Sequence, residues 1–136
     1  MRRSAYIRQK NPDDVRLDNE IYITATRGIK THVTSAATIL QAKTHDCVIL
    51  KGSGFAVAKT LRLCDILRHG FEGLHSNIQF TCEAVPFTLR SDVEKIRTRS
   101  IPQVEICLSL DIKAVPPNNP GYQPPVDSSE IKPIEV

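Results

Sequence analysis

The chain has 136 residues, of which 40% are hydrophobic and 24% charged, with a formal net charge of +3. This length allows one compact domain with flexible ends and excludes two conventional domains. The aromatic content is 5% with no Trp, which argues against aromatic stacking as the main way of holding bases or sugars. No apolar run approaches the roughly 18 to 20 residues of a membrane span, and no secretory signal is recognisable. We therefore expect an intracellular protein with no membrane partner.

The charge is distributed unevenly along the chain. The first ten residues hold four basic residues and no acid, whereas residues 111–136 hold two lysines and four acids. The total of +3 therefore divides into +5 for residues 1–110 and −2 for the remainder. A basic arm followed by a mildly basic body suits a polyanionic partner, and the alternative interpretation is surface charge that serves solubility.

Neither a metal site nor a catalytic set is recognisable. The four cysteines lie 17, 18 and 25 positions apart without a CxxC pair or a matched histidine, so we expect reduced thiols and no bound metal. The histidines are expected at the surface or at helix caps, and the carboxylates on structured segments stand alone. We predict no catalytic residue and no cofactor. The residues considered are Cys47, Cys64, Cys82, Cys107, His32, His45, His69, His75, Asp46, Asp65 and Glu83.

The first half of the chain predicts an arm, a strand, a helix and a second strand. Residues 1–19 lack periodicity and contain an Asn-Pro-Asp-Asp turn signal, which indicates an extended arm. Ile21 and Ile23 then alternate with polar residues in EIYITAT, as in a strand. From residue 29 the apolar residues recur at helical spacing up to about Ala42. The run DCVILK, residues 46–51, is typical of a buried strand.

The second half predicts another helix, two more strands and a tail. A helix follows Gly-Ser-Gly and ends at Gly70. The third strand, within residues 77–89, should point Ile78, Phe80 and Cys82 inward, with Pro86 at an edge or bulge. A charged segment follows, and then a fourth strand that should bury Val104, Ile106, Leu108 and Leu110. The order β-α-β-α-β-β predicts an α/β protein of the α+β two-layer sandwich type, with two helices on a four-stranded mixed sheet. The predicted divisions are a basic arm (1–18), a domain (19–111) and a Pro-rich extended tail (112–136).

The segment KGSGFAVAKT has the layout of a phosphate-binding loop without its full set of glycines. Counted back from Lys59-Thr60, the two glycine positions of a P-loop hold Ser53 and Ala58. The third glycine of a dinucleotide fingerprint falls on Val57. What remains is a helix start with free N–H groups and a lysine one turn in, which suits a phosphate backbone. The alternative is that Gly52 and Gly54 only permit a tight β-α turn.

These segments together resemble the Alba family of nucleic-acid-binding proteins. The similarity lies in RGIKTHV after the first strand, in GSGFAVAKT, in RTRSIPQVEICLSL and in NPGYQPP, over about residues 19–125. The resemblance implies the Alba fold and a noncatalytic role. The final segment is similar to the tail of larger eukaryotic Alba proteins, including an Alba-type subunit of ribonuclease P and MRP. Phe55 departs from the family pattern, because many members have Arg there, and the RGG tail of messenger-binding members is missing.

The resemblance implies RNA as the ligand, a second Alba-domain chain as heterodimer partner and other ribonucleoprotein subunits as further partners. Three basic segments are expected to line one surface and contact phosphates: the loop after the first strand, the loop around GSG, and the segment between the third and fourth strands. RNA shape rather than sequence would then be recognised. The predicted RNA-binding residues are Arg27, Lys30, Lys51, Gly52, Ser53, Gly54, Lys59, Arg90, Lys95, Arg97 and Arg99. Alternatively, the charges after the third strand belong to a solvated loop.

Two other functions stay open at this point. One is a DNA- or messenger-binding Alba protein in chromatin or translational control, and the other is a protein-interaction module whose basic surface is idle. A ribonuclease P/MRP-like particle implies tRNA or rRNA processing in the nucleus or nucleolus, whereas the first alternative also allows the cytoplasm.

Overall fold

The computed structural model describes residues 6–8, for which only the backbone is given, and residues 18–134. The predicted order β-α-β-α-β-β is present, with a short strand added at each end. The elements are β1 (Tyr6–Arg8), β2 (Glu20–Tyr22), α1 (Ile29–Ala42), β3 (Val48–Ser53), α2 (Val57–Gly70), β4 (His75–Leu89), β5 (Asp92–Ser109) and β6 (Tyr122–Gln123). Short 3₁₀ turns occupy Gly54–Ala56 and Ser128–Glu130. No helix among these described residues has the length and apolarity to cross a membrane.

Among the described residues, one mixed sheet of six strands, rather than the predicted four, forms the base of the fold. Its main path runs β1-β4-β5-β3-β2, and β6 pairs with β4 off this path. Strands β2 and β3 are parallel neighbours, and every other pairing is antiparallel. The two added strands both lie along β4, β6 at Ser76 and Asn77 and β1 at residues 87–89.

The core lies between one face of this sheet and the two helices. Residues of β3 and β5 that alternate along each strand, among them Leu50 and Ile106, are fully buried there. Helix α1 buries Ala36, Ala37 and Leu40, as its spacing predicts. The prediction that all four histidines lie at the surface or at caps is wrong for His32, which is 3% exposed on the buried side of α1. It lies one turn before Ala36, so it falls on the apolar face of the helix.

The inward direction of three apolar residues is also predicted wrongly. Phe80 pairs with Val104 and lies on the same side of the sheet, as does Cys82. Val104 is buried, whereas Phe80 is 65% exposed and Cys82 is also exposed. The main contacts of α2 with the sheet are to β3 and β5, so the central part of β4 projects past the helix layer. Leu110 is 43% exposed because it follows the last residue of β5. Pro86 does stand directly before a bulge, between Phe87 and Leu89, as predicted.

The charged segment after the third predicted strand is not a separate arm or loop. Strand β5 begins at Asp92, so β4 and β5 form a hairpin whose turn is Arg90-Ser91. Strand β3 pairs with β5 only as far as Gln103, and residues 92–102 pair with β4 alone. We call residues 82–102 the β-ribbon. Residues 92–102 carry no strand signal, because their side chains are exposed apart from half-buried Ile101 and so show no apolar alternation.

The Pro-rich tail lies against the body of the protein. Tyr122 and Gln123 pair with β4, and the Ile78 N–H donates to the Gly121 carbonyl at 2.9 Å. Arg68 of α2 donates to the Pro124 carbonyl at 3.0 Å, and the Lys132 N–H donates to the His69 carbonyl at 2.8 Å. The division into arm, domain and tail stays a prediction. Of the basic arm, the side chains of Arg2, Arg3, Arg8 and Lys10 lie outside the described residues.

Candidate nucleic-acid interface

Two β-α loops lie side by side at one end of the sheet. Because β2 and β3 are parallel neighbours, their carboxyl ends meet at the same edge, and each is followed by a helix. The first loop, residues 23–28, leads into α1, and the second, residues 53–56, leads into α2. The carboxyl edge of parallel strands is where α/β sheets commonly bind ligands. The fold therefore brings the RGIK and GSGF segments together, as the sequence predicts.

Both helices present uncapped N-termini at this edge. Gly28 before α1 and Ala56 before α2 make no side-chain capping hydrogen bond, and neither helix has an acidic residue in its first turn. The Val57 N–H at the start of α2 donates to the Gly54 carbonyl of the preceding 3₁₀ turn, and the N–H groups after it lack a side-chain cap. The first N–H groups of a helix and its macrodipole together favour an anion at such an end. Arg27 and Lys30 flank the start of α1, and both side chains are exposed. This edge therefore combines two positive helix ends with two exposed cations.

Lys59 joins the two loops. Its Nζ donates to the Thr24 carbonyl at 2.9 Å and to the Ala25 carbonyl at 3.4 Å, and it also contacts the Arg27 carbonyl. The ammonium thus satisfies carbonyls of the first loop from the first turn of α2. Phosphate binding by Lys59 stays a prediction, and the structure gives the residue a positioning role that its sequence context does not indicate.

The two glycines of GSG serve different purposes. Gly52 is buried, and a Cβ atom there would lie 2.0 Å from Thr60 Oγ1 and 3.0 Å from the Ala56 carbonyl oxygen. The predicted reason for this glycine, the approach of a ligand backbone, is therefore wrong, because α2 occupies that space. Gly54 has φ +58° in the left-handed region, where a side chain is strained, and only Ile101 lies near its hypothetical Cβ, at 3.7 Å. Gly54 and its neighbour Ser53 stay at the accessible edge of the loop.

Lys51 is placed apart from the loop cations. Leu50 and Gly52 face the helices, so the alternation of β3 directs Lys51 to the opposite face of the sheet. There its Nζ lies 3.3 Å from Glu20 Oε1 and 5.5 Å from the centre of the Tyr22 ring. Burial lowers the pKa of Lys51, but the nearby Tyr22, Glu20 and Glu105 outweigh burial and raise it. Lys51 therefore carries a charge that Glu20 already balances.

The β-ribbon adds the third group of predicted residues at the same end. Beyond Ser53, the last residue of β3, the ribbon continues past the edge where both loops lie. Arg97 and Arg99 pair with Phe87 and Val85 on alternate positions, so they project from one face of the ribbon. Arg90 lies in the turn of the β-ribbon, and Lys95 lies in the part of β5 where the register shifts. All four side chains are exposed.

Residues 19–81, which include both loops and both helices, match the family model of Alba. This part of the chain is an Alba domain. The match ends within β4, whereas the resemblance in the sequence extends to about residue 125, so the β-ribbon and the tail lie outside the part that the family model covers.

One curated relative of this Alba-domain chain is the DNA/RNA-binding protein ALBA1 of Plasmodium falciparum (isolate 3D7). The two are 27% identical over 122 residues, which cover 85% of this chain and 47% of the relative. The chain therefore spans about half the length of the relative it matches.

The fold is also that of a solved Alba structure. Alba from Thermoplasma volcanium superimposes with a TM-score of 0.51 at 19% identity, covering 67% of this chain and 99% of that one. ALBA1 from Trypanosoma brucei gives a TM-score of 0.48 at 11% identity and covers 70% of this chain and 71% of that one. The likeness to the Thermoplasma protein confirms the predicted Alba-like fold.

Within the Alba domain, His32 is buried near the start of α1, which follows the loop that holds Arg27. Its Nε2 has no hydrogen-bond partner among the described residues. Burial is the largest cause of a lowered pKa for His32, and the charges of Lys59 and Arg27 lower it further. The imidazole is therefore neutral at pH 7 and adds nothing to the positive charge of the edge. The apolar face of α1 is the sequence signal that could have indicated its burial.

Proposed function

We propose that this Alba-domain chain is a noncatalytic RNA-binding protein, most specifically a subunit of a ribonuclease P/MRP-like ribonucleoprotein that pairs with a second Alba-domain chain. The observation that carries the proposal is the placement of three basic segments at one end of the sheet. Arg27 and Lys30 lie beside two uncapped helix starts, and the β-ribbon with Arg97 continues past them. The name of the Plasmodium relative supports nucleic acid as the class of ligand.

The proposed contacts are to phosphates. Exposed arginine and lysine side chains neutralise phosphate charge, and N–H groups at the two helix starts donate to phosphate oxygens. Such contacts fix the position of a nucleic acid without reading base sequence, so the shape of the RNA would determine which RNA is bound. A location in the nucleus follows from the proposed particle.

Exposed apolar surface supports a protein partner. Phe80 is 65% exposed on the helix side of β4, although most apolar side chains on that face of the sheet are covered. A second Alba-domain chain that covered Phe80 would remove this apolar surface from water.

The salt dependence of RNA binding tests the proposed surface. The Arg27→Ala plus Lys30→Ala variant should bind structured RNA more weakly, and its log-log salt slope should be smaller by roughly one to two units. A control variant, Lys43→Asn plus Lys113→Ala, removes two charges from the opposite end of the sheet. Asn tolerates the left-handed conformation of Lys43, which has φ 55°. An unchanged slope in the first variant would show that the basic surface is idle and that the chain is a protein-interaction module.

The RNA that copurifies with the chain tests the assignment to a particle. One abundant structured RNA, together with a second Alba-domain chain, supports a ribonuclease P/MRP-like assembly. A broad pool of messages or bound DNA would instead support the alternative Alba roles in translational control or chromatin.

A further inference from the structure

An open cleft of about 340 Å³ lies between the three basic segments. Thr24 and Ala25 of the first loop line one side, Gly54 and Phe55 of the second loop line another, and Ile101 of the β-ribbon closes it. The volume is at the lower end of the range for small-ligand sites, about 300 Å³ and above. Its walls are mostly apolar side chains and backbone.

Phe55 is an aromatic ring held in water at the mouth of this cleft. It is 97% exposed, and it follows Gly54, whose φ of +58° directs the chain into the 3₁₀ turn before α2. The ring therefore contributes nothing to the core. A single exposed apolar residue needs no explanation by itself, but this one stands beside a cleft and two uncapped helix starts.

The charges around the cleft indicate what kind of ligand fits it. Ala25 lines the cleft, and Arg27 and Lys30 lie two and five positions after it in the chain. On the opposite side, the alternation of β5 places Arg97 on the same ribbon face as Ile101. A ligand here needs anionic groups for the rim and a flat apolar face for the ring. An unstacked nucleotide of an RNA chain has both.

We propose that Phe55 stacks on an unpaired nucleobase of bound RNA, with the base in the cleft and the adjacent phosphates on Arg27 and Lys30. This inference rests on the proposed function and specifies its ligand: RNA with a single-stranded loop or bulge next to a paired stem. In a fully paired duplex both faces of each internal base are already stacked, so the ring has no base to contact. Stacking on an aromatic side chain is tolerant of base identity, which agrees with recognition by shape.

The experiment compares two RNAs of equal phosphate number, a hairpin with an unpaired loop and a fully paired duplex. Phe55→Ala should weaken binding to the hairpin by roughly 5- to 100-fold, as loss of one stacked base requires. Its duplex affinity and salt slope should equal those of the unmodified chain, since no phosphate contact is removed. The control Ile112→Ala removes an exposed apolar side chain, 46% exposed, beyond the other end of β5 and should change neither affinity.

A tryptophan at the same position supplies a direct signal. The chain contains no Trp, so Phe55→Trp introduces a single tryptophan, whose fluorescence can be excited apart from that of the three tyrosines, and keeps the stacking surface. Its fluorescence should be quenched by the hairpin and unchanged by the duplex. Equal losses of affinity for both RNAs in Phe55→Ala, or no loss for either, would overturn the inference, as would a Phe55→Trp variant whose fluorescence the hairpin leaves unquenched.

The two proposals fail in different ways. If the Arg27→Ala plus Lys30→Ala variant weakens binding and Phe55→Ala does not, only the stacking inference is wrong. If neither variant affects the binding of either RNA, the proposed function is wrong as well. Because Phe55 is exposed, its variants should unfold at the same denaturant concentration as the unmodified chain, which separates binding from folding.

Discussion

Gly52 lies beneath helix α2 with no room for a side chain. A Cβ atom would approach Thr60 Oγ1, whose hydroxyl is itself buried and donates to the Ala56 carbonyl at 2.7 Å. We expect Gly52→Ala to lower the free energy of unfolding by roughly 1–3 kcal/mol, as overpacking does. Gly28→Ala is the matched control, because nothing lies within 4 Å of its Cβ position and its φ is −65°. Urea unfolding of both variants measures the difference.

The same contact can be tested through its partner. Thr60→Ala removes the atom nearest to the added methyl group, so the cost of Gly52→Ala should be smaller in a Thr60→Ala background than alone. Equal costs in both backgrounds would show that Thr60 is not what excludes a side chain at residue 52.

The buried imidazole of His32 makes stability depend on pH. Its pKa is lowered in the folded protein, so between this lowered value and the ordinary 6.5 the unfolded chain binds more protons. The stability that the neutral imidazole contributes is complete above about pH 6.5. It is lost as the pH falls from there toward the lowered pKa of the folded protein. We expect His32→Gln to flatten the fall in unfolding free energy between about pH 7.5 and 5.5. The control His45→Gln, which replaces an exposed histidine, should show the same fall as the unmodified chain.

At the scale of elements, Lys59 couples the start of α2 to the first loop. Its ammonium contacts the carbonyls of Thr24, Ala25 and Arg27. We expect Lys59→Met, which keeps the apolar stem, to increase amide hydrogen exchange in residues 24–28 by roughly 3- to 10-fold, in line with losing about 1 kcal/mol of hydrogen bonding. Arg62→Met, on the same helix, should leave those rates unchanged.

The salt slope of RNA binding separates this positioning role from direct contact. A lysine that only holds the loop should change affinity with little change in slope, since the number of neutralised phosphates is the same. Unchanged exchange in Lys59→Met together with a slope smaller by about one unit would mean that Lys59 contacts phosphate directly.

The helices and buried strands could be predicted from the sequence because each carries one apolar face. Helix α1 ends at Ala42 and α2 at Gly70, as their spacing indicates, and Val104, Ile106 and Leu108 are buried as predicted. The β5 half of the β-ribbon could not, because residues 92–102 lie outside the core and have no such face. The exposure of Phe80 depends on how far the helix layer extends over the sheet, which no local pattern contains.

The candidate site was predictable in its location but only partly in its chemistry. Parallel neighbours β2 and β3 bring both loops to one edge, which follows from the order of elements. The directions of individual side chains do not follow from it. Lys51 alternates to the far face and pairs with Glu20, and Lys59 turns back to carbonyls of the first loop. Sequence patterns report residue types and spacing, whereas these partners lie up to 35 positions away.

At the scale of the whole molecule, the tail ties the edge of the sheet to helix α2. Four hydrogen bonds hold it there: Gly121 and Gln123 bond to β4, Pro124 bonds to Arg68, and Lys132 bonds to the end of α2. Ile134 fills the space above Gly70, where a Cβ atom would lie 2.2 Å from its Cδ1. The tail therefore covers part of an edge that would otherwise expose unpaired N–H and C=O groups.

Gly121→Ala should release this part of the tail. An added Cβ atom would lie 2.0 Å from the Ile78 carbonyl oxygen, a backbone atom that cannot move without disturbing β4. We expect a loss of roughly 1–3 kcal/mol in unfolding free energy and faster exchange of the Ile78 amide, whose acceptor is the Gly121 carbonyl. Lys132→Ala is the control, since that residue bonds through its backbone N–H. If Gly121→Ala left the Ile78 amide as protected as before, the tail strand would not be what covers this edge, and residues 76–78 would owe their protection to other parts of the fold.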